Sequence, residues 1–377
     1  MTIDEISKKI IQLALFLDNK KPGIVSEIWI GKELVGELRS KVHTDEEIAK
    51  LIDDTRKKLE VVNEDRRRIY LTSLLDSLEF QIKTLNESIT YSDFTEKAFG
   101  FRINRVSYDE IEKIEEMLQA LEQKNGVSRF DVFKKNSVKP NQCQSVFKKY
   151  VNLVKTKLPP FIINYPDEGF LFETVTDKPW SAFNSHMAPF WSKLTLNSDV
   201  SFNKMDLFRL ASHEAYAGHH SELSNKDKLL IDAGRGEHGL IITFSPQTFI
   251  SEAIAEGMYV LLNLLDKNDF KQVLGWYYDR LIFSLQNLAS FMFFDDKSSK
   301  EEINKKFREF NITDKSRENL LNFSTHPLFG KYAPVYYSAF NFIENIYQKT
   351  SKKEELIKVL FTEPCTPRLL EEQFLHK

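Results

Sequence analysis

The chain has 377 residues, enough for two average domains or one large helical one. Its 52 basic and 55 acidic side chains are mixed along the sequence and give a formal net charge of −3, which argues against a nucleic-acid-binding surface. The two cysteines, Cys143 and Cys365, form no C-x-x-C pair, which argues against a disulfide framework and a thiolate metal site. These features favour a folded protein of a reducing compartment.

The first region of the chain, residues 1–160, has a helical pattern throughout. Its early apolar run IIQLALFL follows two acidic residues and lacks a small-residue cleavage site, so we expect no signal peptide and a cytoplasmic protein. No apolar run approaches the roughly 18 residues of a membrane-spanning helix. Two capping-box pairs predict helix starts, Thr44 with Glu47 and Ser107 with Glu110. Helix ends are predicted at Asn125-Gly126 and before Pro159-Pro160.

The second region, residues 161–377, begins with a change of texture. Residues 161 to about 201 are rich in aromatic, proline and β-branched residues, and WSKLTLN alternates with period two, which predicts a short strand or two. Helices are then predicted over residues 203–217, 245–265, 269–294 and 334–347. We therefore expect a mainly α protein with a small β insert. The two regions are expected to form one structural unit, with a cleft between the N-terminal helices and the C-terminal half.

The stretch LASHEAYAGHHSELS, residues 210–224, places three histidines close to Glu214. Glu214 continues an apolar stripe formed by Leu207, Leu210 and Ala211, so a carboxylate points inward with His213 beside it. Burying such groups without partners costs several kcal/mol. The pattern indicates either a metal site or a histidine-rich helix end satisfied by hydrogen bonds in the core.

The spacing of the histidines imposes a geometric condition on the interpretation of this stretch as a metal site. A hydrolytic zinc site needs a few nitrogen or carboxylate ligands, an open position for water and a nearby carboxylate base. In H-E-x-x-H the histidines are four residues apart, whereas here they are six or seven apart, which is roughly 9 to 10.5 Å along an unbroken helix. Gly218 allows the chain to turn back, so zinc binding requires the helix to break after Ala217.

The third ligand is expected from the segment SPQTFISEAIAEGMYVLLNLL. Phe249, Ala253, Glu256 and Val260 make an apolar stripe, and Glu252 lies one turn before Glu256. One carboxylate would bind the metal, and the other would hold the second nitrogen of a ligand histidine.

Residues 213–220, HEAYAGHH, resemble the H-E-x-x-P-G-H-H signature of the family called domain of unknown function 885, helical proteins regarded as zinc-dependent peptidases. Ala217 stands where that signature has proline. EGMYVLL, beginning at Glu256, is similar to the E-G-W-A-x-Y segment of the same family, with Met258 replacing tryptophan. THPLFGKYAPVYYSAF is similar to the late G-Y-F-P-T-Y segment of the carboxypeptidase Taq family, which also has an H-E-x-G-H helix.

The resemblance implies a large helical, zincin-like fold of the gluzincin type, with zinc held by two histidines and a glutamate. It implies His213, His219 and Glu256 as ligands, with His220 and Glu252 as second choices. Glu214 would be the general base, and one tyrosine would stabilise the oxyanion, the candidates being Tyr332, Tyr336 and Tyr337. The implied function is a zinc peptidase. An inactive scaffold and a hydrolase of non-peptide amides or esters are the alternatives.

Four further features have weaker patterns. Arg235, between two glycines, could clamp a substrate carboxylate, and a surface turn explains it as well. His326, beside the tyrosines, could contact substrate and is the stronger of the two, although such an aromatic cluster is often just core. His186 and His238 are interpreted as satisfied loop histidines. SKLTLN, residues 192–197, could be an edge strand that pairs with an extended peptide, or part of a structural hairpin. The oligomeric state cannot be inferred from the sequence.

Overall fold

A computed structural model describes residues 2–40, 44–87, 89–187 and 189–375 of the chain. The protein is mainly helical, as the sequence predicts. Its first eight helices are α1 (Ile3–Lys20), α2 (Lys32–Ser40), α3 (Asp45–Leu59), α4 (Asp65–Lys83), α5 (Tyr91–Phe99), α6 (Tyr108–Asn125), α7 (Arg129–Lys135) and α8 (Pro140–Lys155). The others are α9 (Lys204–Glu214), α10 (His219–Lys226), α11 (Pro246–Leu261), α12 (Phe270–Phe294), α13 (Lys300–Phe307), α14 (Asp314–Ser324), α15 (Phe329–Tyr332), α16 (Pro334–Lys349), α17 (Lys353–Thr362) and α18 (Pro367–Phe374).

The local helix signals of the sequence are confirmed. Both predicted capping boxes form, at the starts of α3 and α6, with each hydroxyl accepting from a backbone N–H and each glutamate accepting in return. Gly126 ends α6 with a φ of 63°, a left-handed conformation that costs glycine little. Ser245 accepts from the N–H of Thr248 and Pro246 occupies the first turn, which fixes the start of α11.

The β insert lies directly before α9. It contains β2 (Gly169–Val175), β3 (Ala182–Met187) and β4 (Trp191–Asn197), in the order β2-β4-β3, while β1 (Val25–Ile28) and β5 (Leu240–Ile242) form a separate antiparallel pair. β4 is parallel to β2 and antiparallel to β3. The edge-strand interpretation of residues 192–197 is therefore wrong, because β4 is hydrogen-bonded on both sides.

One large hydrophobic core contains residues from both halves of the chain. Ile10 of α1 and Leu74 of α4 belong to the same cluster as Phe249 of α11 and Ile343 of α16. Every residue from 246 to 259 is buried, so α11 is the central helix of this core. Within the described ranges, no helix is both long enough and apolar enough to cross a membrane.

Candidate metal centre

The helix that carries the motif ends before His219, as zinc binding by two of these histidines requires. Helix α9 ends at Glu214, and α10 begins at His219 with Gly218 as its N-terminal cap. A Cβ atom on Gly218 would lie 1.8 Å from the carbonyl oxygen of His213, so only glycine fits this position. The break begins three residues earlier than expected, after Glu214 rather than after Ala217. It brings the ring centroids of His213 and His219 to 4.8 Å from each other.

His213, His219 and Glu252 form a compact group of potential ligands. One ligand atom from each lies within 4.8 Å of the others. The Nε2 atom of His213 is 3.6 Å from Oε2 of Glu252, and Nε2 of His219 is 3.7 Å from Oε1. These distances are too long for hydrogen bonds, but two ligands bound tetrahedrally to zinc at about 2.0–2.1 Å would lie roughly 3.3 Å apart. Oε2 of Glu252 is buried, and no described residue is its hydrogen-bond partner. The donor set therefore fits a zinc ion.

Glu256, the first choice for the third ligand, has a different position from the one expected. Its Oε1 atom lies 3.1 Å from Nδ1 of His213 and 3.2 Å from Nη1 of Arg209, on the side of the ring away from Glu252. Glu256 thus contacts the His213 ring, and the second choice, Glu252, is the carboxylate that lies together with His213 and His219. The sequence predicts one carboxylate at the metal and the other at a histidine nitrogen. In the structure Glu252 lies with the two histidines, and Glu256 lies at Nδ1 of His213.

Burial and neighbouring charges together determine the protonation of His213, His219 and Glu252. Burial lowers the pKa of His213, but the charges of Glu214, Glu256 and Glu252 outweigh burial and raise it to about 9. Burial also raises the pKa of Glu252 to about 7 despite the charge of His213. The pKa of His219 is well below its ordinary value because of burial and the nearby His213. A ligand imidazole must be neutral, so a cation competes with a proton at His213.

Glu214 is placed beside the ligand group rather than in it. Its Oε1 atom is 4.0 Å from Nε2 of His213, and its side chain is buried at the wall of a cleft. Asn184 of β3 donates to its backbone carbonyl at 2.5 Å, which fixes the end of α9. Burial raises the pKa of Glu214, although the charges of His213 and Arg209 oppose this. A carboxyl group with a raised pKa is suited to accept and later return a proton.

His220 points away from the group. Its Nδ1 atom is 2.9 Å from Oγ of Ser192, and its ring packs on Phe170 with centroids 4.3 Å apart. Burial lowers the pKa of His220, although the nearby carboxylate of Glu168 acts in the opposite direction. The geometry therefore favours His219 over His220 as the second histidine ligand.

The three candidate tyrosines have three different environments. Tyr332 donates a hydrogen bond of 2.7 Å to Oε1 of Glu252. Tyr336 packs edge-on against Tyr332 and lines the cleft beside Glu214. Tyr337 packs away from the site, with the guanidinium of Arg280 4.1 Å from its ring centroid. Only Tyr336 combines access to the cleft with closeness to the ligand group.

Arg235 and His326, the two candidate substrate contacts, do not line this cleft. Arg235 lies in a turn after α10, where its backbone N–H donates to the carbonyl of Leu230. Nδ1 of His326 accepts from the backbone N–H groups of Leu328 and Phe329, so His326 stabilises a turn. Arg235 thus lies in a turn, as its plainer interpretation had it, whereas His326 both stabilises a turn and packs on the ring of Phe329.

The two histidines that were interpreted as satisfied loop residues also differ from each other. His186 is part of β3 and its Nε2 atom lies 2.6 Å from Oδ2 of Asp227, so it does have a partner. His238 stacks on Tyr70 with ring centroids 4.7 Å apart. Neither ring nitrogen of His238 has a hydrogen-bond partner among the described residues, so it is buried but not satisfied.

The cleft beside the ligand group has a volume of about 480 Å³. The sequence predicts a cleft between the N-terminal helices and the C-terminal half. The residues that line this cleft run from Lys178 to Tyr336, so it lies within the second region instead. Helices α4 and α5 instead pack against α11 and contribute to the main core. The cleft is walled by the β insert, α9, α12 and α14, and its lining includes Trp180, Arg209, His213, Glu214, Phe283 and Tyr336.

Several residues at the site were not identified from the sequence. Arg209 lies one helical turn before His213 and bridges Glu256 to Asp279, whose Oδ2 is 2.7 Å from Nε of Arg209. Its spacing of four residues from His213 was a usable signal. Ser251 lies 3.1 Å from Nδ1 of His219, and no pattern in the sequence distinguishes it from other buried serines.

No family model matches the chain, and no curated protein matches it. Solved structures with a similar fold include the following two. A protein described as a putative lipoprotein from Colwellia psychrerythraea aligns with a TM-score of 0.58 and 15% identity, over 96% of this chain and 68% of that one. A putative lipoprotein of unknown function from Shewanella oneidensis aligns with a TM-score of 0.54 and 12% identity, over 92% and 70% of the two chains. At these identities the likeness concerns the fold alone.

Proposed function

We propose that this protein is a zinc-dependent hydrolase that cleaves peptide bonds. The observation that carries the proposal is the buried group of His213, His219 and Glu252, with Glu214 beside it at the wall of a cleft. The resemblance of HEAYAGHH to the signature of the domain of unknown function 885 supports the same reaction. The two structural neighbours contribute only the fold.

Nε2 of His213, Nε2 of His219 and a carboxylate oxygen of Glu252 would hold the ion. Bound zinc supplies a Lewis acid that polarises a carbonyl group and lowers the pKa of water. Glu256, whose Oε1 is 3.1 Å from Nδ1 of His213, would orient that ring, and Tyr332 would orient Glu252 through the 2.7 Å hydrogen bond.

Glu214 would act as the general base and then as the general acid. Its carboxylate takes a proton from the attacking water and returns it to the leaving amine. Burial raises the pKa of the Tyr336 hydroxyl, which therefore remains a hydrogen-bond donor at neutral pH. We assign to Tyr336 the stabilisation of the negative charge that develops on the substrate carbonyl oxygen.

The cleft volume lies within the usual range for small-ligand sites, which suits a short peptide. A cytoplasmic location is proposed with this function, because both cysteines, Cys143 and Cys365, are buried free thiols.

Metal analysis and a substrate panel test the proposal together. We expect about one zinc per purified chain, no bound zinc in a His213→Ala variant, and chelator-sensitive cleavage of a peptide mixture followed by mass spectrometry. A protein that binds no zinc would contradict the proposal. Bound zinc with cleavage of esters or non-peptide amides alone would contradict the peptidase assignment, and bound zinc without any hydrolysis would indicate an inactive scaffold.

A further inference from the structure

A line of buried polar groups extends from His219 into the core on the side away from the cleft. Nδ1 of His219 is 3.1 Å from Oγ of Ser251, and that hydroxyl donates a hydrogen bond of 2.6 Å to Oε2 of Glu222. The ammonium of Lys226 donates to Oε1 of the same carboxylate at 2.5 Å. Glu222 and Lys226 are almost completely buried, with side chains 1% and 4% exposed. The line connects α10, which carries three of these residues, to α11, which carries Ser251.

The chemistry of these groups fixes the direction of each hydrogen bond. An ammonium can only donate, and a carboxylate paired with it can only accept. Ser251 has a single hydroxyl proton, and the hydrogen bond to Glu222 uses it. The oxygen of Ser251 can therefore only accept from His219, which places the imidazole proton on Nδ1. Nε2 then carries a free lone pair, and it is the nitrogen that lies 3.7 Å from Oε1 of Glu252.

We propose that Ser251, Glu222 and Lys226 are positioning residues that hold His219 in the Nδ1–H tautomer and so direct Nε2 toward the metal group. The inference rests on the proposed zinc site and identifies residues that no motif in the sequence marks. Each member has a separate task. Ser251 accepts from the imidazole, Glu222 sets the direction of the hydroxyl, and Lys226 keeps the carboxylate an acceptor.

The two histidines of the group are thus held in different ways. His213 has a carboxylate, Glu256, 3.1 Å from its Nδ1 atom. His219 has a hydroxyl at that position, and a hydroxyl can reverse its direction when its own acceptor is lost. The orientation of His219 therefore depends on a residue it does not contact, Glu222, whereas that of His213 depends on a direct neighbour.

Zinc affinity of the full-length protein, measured by competition with a chromogenic chelator, tests the inference. Removing a group that holds a ligand histidine typically costs 10–100-fold in metal affinity. We expect a loss of that size in Ser251→Ala and recovery to within about threefold of wild type in Ser251→Thr, which keeps the hydroxyl. Ser224→Ala is the matched control, because Ser224 is a buried serine of α10 whose hydroxyl has no hydrogen-bond partner among the described residues. Wild-type affinity in Ser251→Ala would overturn the inference.

Nitrogen NMR of ¹⁵N-histidine-labelled, zinc-free protein provides the readout that a merely structural role of Ser251 would not change. We expect the proton of His219 on Nδ1 in the wild type, and a mixture of tautomers in Ser251→Ala and in Glu222→Gln, whose amide can donate to Ser251 as well as accept. A proton on Nε2 in the wild type would overturn the inference. Because this measurement needs no zinc, it separates a failure of the relay from a failure of the proposed function, in which the wild type would bind no zinc. Should Ser251→Ala fail to fold, Glu222→Gln decides the outcome by the same measurement.

Discussion

Replacement of Glu214 by glutamine is the sharpest test of the proposed chemistry. The change keeps the shape of the side chain and removes only its ability to accept a proton. Oε1 of Glu214 lies 4.0 Å from Nε2 of His213, and the compact ligand group consists of His213, His219 and Glu252. We therefore expect Glu214→Gln to keep its zinc.

The expected loss of activity follows from the role of a general base. A positioned base contributes typically 10²–10⁴-fold to the rate, which corresponds to about 2.7–5.4 kcal/mol of transition-state stabilisation. The assay is the initial rate of cleavage of a peptide mixture at neutral pH, together with the zinc content of the same sample. Glu173→Gln is the control, because Glu173 is a half-exposed carboxylate on β2 that pairs with Lys193 outside the site. Activity within tenfold of wild type, or loss of zinc, would refute the assignment of Glu214 as base.

Three further predictions concern metal binding and stability. Glu252→Gln should abolish stoichiometric zinc binding in metal analysis, whereas Glu256→Gln should weaken it about 10–100-fold; the opposite order would restore Glu256 as the ligand. Gly218→Ala should destabilise the protein by several kcal/mol in chemical denaturation, because the new Cβ would overlap the carbonyl of His213. Gly36→Ala is the control: its Cβ would meet no atom within 4 Å in α2, so this change should stabilise the protein by up to about 1 kcal/mol. Burial raises the pKa of Glu168, but the nearby His220 and the hydrogen bonds from Lys155 and Tyr216 outweigh burial and lower it to about 2. The ionised Glu168 carboxylate therefore contributes its full stabilisation above about pH 4.5, and this contribution is lost as the pH falls toward 2. Glu168→Gln should remove that part of the pH dependence of the free energy of unfolding. An unchanged dependence at acid pH in this variant would contradict the prediction.

The sequence predicts the helices well because their signals are local. Thr44 and Glu47, or Ser107 and Glu110, act within one turn, and the structure contains both capping boxes. The break near Gly218 could also be predicted, since histidines six or seven residues apart cannot share an ion on a straight helix. The start of the break after Glu214 could not be predicted, because Ala215 and Tyr216 are compatible with a helix and leave it only through packing.

The choice between Glu252 and Glu256 could not be made from the sequence. Both lie on α11, where every residue from 246 to 259 is buried, so burial has no periodicity that distinguishes one face from another. The rotation of α11 is set by its packing against α9 and α16, and these contacts are distant in sequence. The same limit explains why the positions of Arg235 and His326 were not predicted, since their local sequence patterns do not show that they lie outside the cleft.

The break between Glu214 and His219 also has an electrostatic consequence. In an H-E-x-x-H helix, the ligands project from the middle of a continuous helix, where the backbone dipoles cancel end to end. Here His219 is the first residue of α10, so the positive end of a helix dipole, equivalent to roughly half an elementary charge, lies at the ligand group. This field favours negative charge, and Oε1 of Glu252 lies 3.7 Å from Nε2 of His219, the first residue of that helix. The peptide backbone at the break therefore contributes to the charge balance of the site, in addition to the side chains that the motif displays.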